Sequence, residues 1–112
     1  MPAYSSDQAV RLAKGSAQVV SSGTLTANPF KTQAVRLADD VESVTVFNYS
    51  TVGASVQVSW EDVDEFYLQL MDGTSSFNVV VPPSSALRFL CDAPYLRISM
   101  ASDTTANIVV QA

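Results

Sequence analysis

Trp60-Glu61-Asp62-Val63-Asp64-Glu65-Phe66 gathers four carboxylates into seven residues, and oxygen-rich loops of this sort are where calcium binds. The run has no internal glycine and its spacing fits no calcium motif, so it reads as a solvated turn. Other chemistry is constrained by what is missing. The chain has no histidine, which removes the usual general base, proton shuttle and transition-metal ligand. Neither a Ser-His-Asp nor a Cys-His arrangement can be assembled. The single cysteine, Cys91, cannot form an intramolecular disulfide and has no partner to lower its pKa, so it is expected to be a small buried hydrophobe. Zinc and iron sites need more thiols or imidazoles than this. A Ser-Lys dyad would need Lys14 or Lys31, the only two lysines, and both fall in the polar N-terminal stretch. The expectation is a protein that is not an enzyme and holds no cofactor or metal.

Two further elements could bear function. Ser102-Asp103-Thr104-Thr105-Ala106 is similar to the Asp-Thr-Gly-Ala element of dimeric aspartic proteases, but Thr105 stands where the glycine must let two backbones approach. Tyr49, Tyr67 and Tyr95 are expected at strand ends or on outward faces, where aromatic rings could present a platform to a sugar.

Charge narrows the partners. Six basic residues against eleven acidic ones give a net charge of −5, and no run of Lys or Arg exists, which argues against a phosphate-neutralising face for nucleic acid. Charged residues make up 15% of the chain, below the roughly 25% usual in soluble domains. Much of the surface is therefore Ser, Thr, Asn, Gln and Ala, which suits close neighbours better than free dispersal. The opening residues read as no secretory signal and no segment is long and apolar enough to span a bilayer. A soluble product made in a host cytoplasm is expected.

The elements that must position any site are strands. After about residue 31, short runs alternate with period two between turn residues. In Ala54-Ser55-Val56-Gln57-Val58-Ser59-Trp60, Val56, Val58 and Trp60 share one face. The stretch from Ser43 to Tyr49 is apolar on both faces, as an interior or interface strand would be. Phe66, Leu68 and Leu70 are expected inward with Tyr67 and Gln69 outward, followed by an Asp72-Gly73 hairpin turn to a strand that ends at Pro82-Pro83. Arg88 and Arg97 are expected on wet faces, and Ile108 and Val110 on one side of the last strand. About eight such strands and no helical period predict an all-β fold, an antiparallel β-sandwich or jelly roll.

Residues 1–30 differ in texture, being rich in Ser, Ala, Thr, Gln and Gly. They are expected to form an extended N-terminal arm reaching a neighbouring subunit, leaving residues 31–112 as the sandwich domain. Across that boundary the hexamer Gln-Ala-Val-Arg-Leu-Ala occurs twice, at residues 8–13 and 33–38, a coincidence expected in about one chain in a thousand of this length. If both copies are strands, each sets an apolar pair against an arginine. They could each pair with a similar edge, one in the domain and one on a partner, or both be edge strands of one sandwich.

The run of features from Ser43 onward resembles the small all-β accessory proteins of tailed-phage virions, especially head decoration or cement proteins. These features are a strand ending in Asn48, a Val-x-Val-x-Trp strand, an Asp-Gly-Thr-Ser turn, a proline-terminated strand and a closing Ala-Asn-Ile-Val-Val strand. The likeness covers about residues 43–112. It implies attachment to the major capsid protein on the outside of a capsid lattice, self-association with a trimer favoured, and no contact with nucleic acid or membrane. The partner interface is then expected to involve Tyr4, Arg11, Leu12, Phe30, Arg36 and Tyr67. A receptor- or glycan-binding module, or a tail or head-to-tail connector component, are the alternative readings.

Overall fold

Buried and open positions alternate along the central strands, and this alternation builds the molecule. The computed structural model describes residues 10–21, 30–70, 79–100 and 107–112. Their strands are β1 (Val10–Leu12), β2 (Ala17–Ser21), β3 (Phe30–Lys31), β4 (Val35–Leu37), β5 (Ser43–Asn48), β6 (Ala54–Ser59), β7 (Leu68–Gln69), β8 (Val80–Val81), β9 (Ser85–Leu90), β10 (Tyr95–Met100) and β11 (Ile108–Gln111). A larger sheet has the order β1-β4-β10-β6-β7, with β3 also paired to β10 and β8 to β6. A smaller sheet has the order β2-β11-β5-β9. The fold is an all-β sandwich.

The inward residues of the two sheets meet in one core: Leu12, Val35, Leu37, Val56, Val58, Leu96, Ile98 and Met100 from the larger sheet, Val44, Val46, Ile108 and Val110 from the smaller. Each such side chain withdrawn from water stabilises the fold by about 1.5–3 kcal/mol before chain entropy is counted. Cys91 joins this core as expected, and burial pushes its thiol up to about 11. A buried polar residue also ties the layers together. Asn48, at the end of β5, donates to the carbonyls of Val52 (2.8 Å) and Val81 (3.0 Å), and its Oδ1 accepts from the Ser50 amide (2.9 Å). Gly53 closes the same loop, where a Cβ would lie 2.9 Å from Val80 Cγ1.

Several expectations are overturned. Between residues 10 and 21 the expected arm is part of the subunit's own sandwich: β1 joins the larger sheet and β2 the smaller. Leu12 is inserted in the core at 3% exposure, so this segment gains its burial at home. Gly15, at φ +84°, turns the chain from one sheet to the other. Its amide donates to the Ala112 carbonyl at 2.9 Å, stitching the segment to the C-terminal strand. Residues 1–9 and 22–29, the rest of the expected arm, lie outside the described residues.

Among the described residues, β7 and β8 do not pair with each other as the expected hairpin would have them. β7 and β8 both run antiparallel to β6, β7 against Gln57 and Val58 and β8 against Ala54 and Ser55. They have the same polarity and follow one another along the same edge, so they cannot be hairpin partners. The Val79 amide donates to the Leu70 carbonyl at 2.7 Å, closing the ends of residues 71–78 on each other. The Asp72-Gly73 turn itself lies outside the described residues.

Candidate interaction faces

The Val-Arg-Leu parts of the two hexamers pair with each other. β1 and β4 are parallel and in register, Val10 beside Val35, Arg11 beside Arg36, Leu12 beside Leu37. A parallel neighbour needs a crossover, which here passes through β2 of the other sheet. Since Val35 and Leu37 face the core, the alternation sends Arg36, and Arg11 beside it, to the outer face.

That outer face collects four of the six basic residues. Tyr95 of β10 is in register with Arg36, and the Arg36 guanidinium lies 5.2 Å from the centre of its ring. Arg36 Nη1 also donates to the Leu37 carbonyl at 3.0 Å, and Nη2 lies 3.8 Å from exposed Asp39. Arg11 is exposed and has no ion-pair partner among the described residues. Like charges side by side on neighbouring strands are unfavourable, so the Arg11 side of this pair is an uncompensated positive site on an acidic protein. A groove of ≈ 390 Å³ opens beside it, bordered by Arg11, Ala13, Arg36 and Ala38, with Asp39, the partner of Arg36, at its margin.

Further along the same face lies Arg97, expected in water but only 2% exposed. Its Nε donates to Gln57 Oε1 at 2.7 Å, and its Nη atoms donate to the side chain and carbonyl of Asp64. The Tyr67 ring covers the guanidinium, its centre 4.0 Å away, and the Tyr67 hydroxyl donates to Asp62 Oδ1 at 2.9 Å. Lys31 approaches Asp64 at 3.8 Å. The hydrogen bond from Arg97, aided by the charges of Arg97 and Lys31, holds the Asp64 carboxyl below its ordinary range even though partial burial opposes this. Burial and the bond to Asp62 push the Tyr67 phenol well above its ordinary value.

The acidic run is therefore a lid over Arg97 more than a solvated turn. A 3-10 turn at Asp64–Phe66 breaks the strand alternation. As a result Tyr67 is buried at 7% exposure while Phe66 and Leu68, expected inside, are 52% and 68% exposed; Trp60, just past the end of β6, is 66% exposed. No group of carboxylates, cysteines and histidines able to hold a metal occurs among the described residues.

The smaller sheet has the opposite outer face. Register places Val19 beside Val109, Val109 beside Phe47 and Phe47 beside Ala86, a row crossing all four strands. Tyr49 follows on the same face of the chain, 61% exposed, its ring stacked on Phe47 at 6.3 Å between centres. Leu90, in register with Ser43, is 76% exposed. Arg88 lies on this face as expected and donates to Ser43 Oγ through Nη2 at 2.9 Å.

Of the expected interface residues, Arg11 and Arg36 are brought together. Leu12 belongs to the core and Tyr67 to the cover over Arg97, so neither presents its side chain to a partner. The Phe30 backbone pairs with Met100, and Tyr4 lies outside the described residues. Of the three tyrosines considered for sugar stacking, Tyr67 is buried, Tyr95 is half-buried beside Arg36, and only Tyr49 is exposed. The apolar row was legible only in part. Phe47 and Tyr49 show it in β5, but Val19 and Val109 join it through pairings that no local pattern reveals.

No family model matches this sequence, and searches of the curated proteins and of the solved structures return no significant relative. No helix among the described residues is long and apolar enough to cross a membrane.

Proposed function

We propose that this chain is a structural assembly protein that decorates the outside of a virion shell, attaching to neighbouring capsid subunits through the outer face of its smaller sheet. The observation that carries this reading is the row Val19, Val109 and Phe47 with Tyr49, an apolar strip on the side of the sheet away from the core whose ends, Val19 and Tyr49, are exposed and whose middle is half-buried. Burying such a strip against a partner is favourable in proportion to the apolar area removed from water. Repeated around a lattice, contacts of modest strength become jointly strong. The resemblance of residues 43–112 to phage decoration proteins names the partner class, the major capsid protein. Placing the attachment on the sheet face replaces the arm, since residues 10–21 are committed to the subunit's own sheets.

The test is co-sedimentation of the purified chain with capsid shells stripped of accessory proteins. Wild type should pellet with the shells, and Phe47→Asp, which charges the centre of the row, should stay in the supernatant while keeping its circular dichroism spectrum. Undiminished pelleting of the Asp variant, or none by wild type, overturns the reading.

A further inference from the structure

The larger sheet ends in two edges of opposite character. At the β1 end Arg11 and Arg36 border the open groove. Toward the β7 side, the segment between β6 and β7 exposes Trp60, Phe66 and Leu68, and the two carboxylates next to those aromatics, Glu61 and Glu65, are exposed as well. We propose that these edges bind each other between copies of this chain, head to tail, with Trp60-Glu61 and Glu65-Phe66 of one copy docked on the Arg11/Arg36 groove of the next.

Three features fit this occupant. The charges are complementary, in a protein whose net charge of −5 otherwise keeps copies apart. A guanidinium offers its face to an aromatic ring and its N–H groups to a carboxylate, and both docking dipeptides supply a ring and a carboxylate in adjacent positions. An incoming carboxylate would also neutralise Arg11, which has no acidic partner among the described residues and stands beside another arginine. Burial of the three exposed apolar side chains supplies the non-directional part of the attraction.

Ser59, just before Trp60, is in register with Tyr95, which is in register with Arg36, so Trp60 starts about two strand spacings, roughly 10 Å, from Arg36. Within one copy no ion pair joins Glu61 or Glu65 to either arginine, and the groove is left to a second copy. The contact is between unlike surfaces and generates a ring, or an open chain if the rotation does not close. It uses a different surface from the apolar row of the smaller sheet and would stand if that row proved to have no partner.

Light scattering on the purified chain tests the proposal. Wild type should show a mass above the 12.0 kDa monomer that falls as salt is raised. Arg11→Glu alone, or Glu61→Arg with Glu65→Arg, should weaken self-association at least about tenfold while leaving the fold intact, because all three side chains are exposed and charge reversal adds repulsion. An equimolar mixture of those two variants should regain assembly as alternating copies, since each offers the other a matched contact, one in the native sense and one with both charges reversed. A chain carrying all three reversals should regain self-association. A wild type that stays monomeric up to about 1 mM, or a mixture that forms no pair, overturns the proposal. Phe47→Asp should leave the mass unchanged, so this reading and the shell-binding reading fail separately.

Discussion

Two copies of one hexamer lie side by side in this protein, yet their side chains have different lives. Leu12 and Leu37 are equally buried, each 3% exposed, because both face the same core. Arg36 is flanked by strands on both sides, lies against Tyr95 and reaches Asp39. Arg11 is on the strand that ends the sheet and is open to solvent. Sequence equality has therefore produced equality toward the core and inequality along the sheet. Burial follows the alternation a hexamer carries within itself, whereas lateral contacts depend on which strand lies next to it.

The same contrast extends to the backbone. The Leu37 amide donates to Pro94 and the Ala38 amide to Leu12. Since successive residues point to opposite sides, the Arg36 amide faces β1, and by the same alternation the Arg11 amide faces the open edge. Proline should expose this difference most sharply. Arg36→Pro removes a ladder bond inside the sheet and should cost about 3 kcal/mol or more, while Arg11→Pro, on an edge, should stay within about 1 kcal/mol. Urea unfolding of the two variants measures both, and equal costs would refute the assigned edge.

Truncation of the paired leucines comes next. Leu37→Ala should cost about 3 kcal/mol, and Leu12→Ala about 2 kcal/mol, because a terminal three-residue strand can relax around the loss. A negligible cost for Leu12→Ala in the isolated chain would return residues 10–12 to the role of an arm.

A pH series probes the third arginine of that face. The Asp64 carboxyl is held below its ordinary value chiefly by its hydrogen bond from Arg97. This contribution to stability is complete above about pH 4 and is lost as pH falls through the lower folded-state value. Urea midpoints between about pH 5 and pH 2 should thus fall more steeply for wild type than for Asp64→Asn. Parallel curves would mean that the Arg97 contact does not stabilise the fold.

The smallest difference is between the two exposed guanidinium groups. Arg36→Ala should lose about 0.5–1 kcal/mol through the Tyr95 and Asp39 contacts. Arg11→Ala should lose nothing measurable, or gain slightly as the repulsion between neighbours is relieved.

Much of the sandwich was legible because half-buried strands record their burial in period two. The shared faces Val56/Val58 and Ile108/Val110 were readable from the residues alone, as was the end of β8 at Pro82-Pro83, whereas β5, apolar on both faces, left Val44/Val46 and Phe47/Tyr49 undecided. Errors came where a local signal competed with tertiary contacts. Trp60 continues the alternation of β6 but lies beyond its last residue, where no opposing layer covers it. Arg97 looks solvated by residue type, yet Gln57 and Asp64 supply the acceptors and Tyr67 the ring surface that bury it. The N-terminal stretch looked too poor in apolar groups to hold itself in place, but backbone pairing to β4 and β11 and one well-placed leucine tie in its residues 10–21.

The residues alone established the β class, the inner faces of the regular strands β6 and β11, and the absence of the imidazole chemistry most catalytic sites use, because each of these is a property of type and spacing along one chain. Which strands are neighbours, that the repeated hexamer pairs with itself, and that Val19, Val109 and Phe47 line up on one exposed face were decided only when the sheets formed. Pairing partners far apart in sequence are selected by the core they jointly bury, and no local pattern encodes that choice.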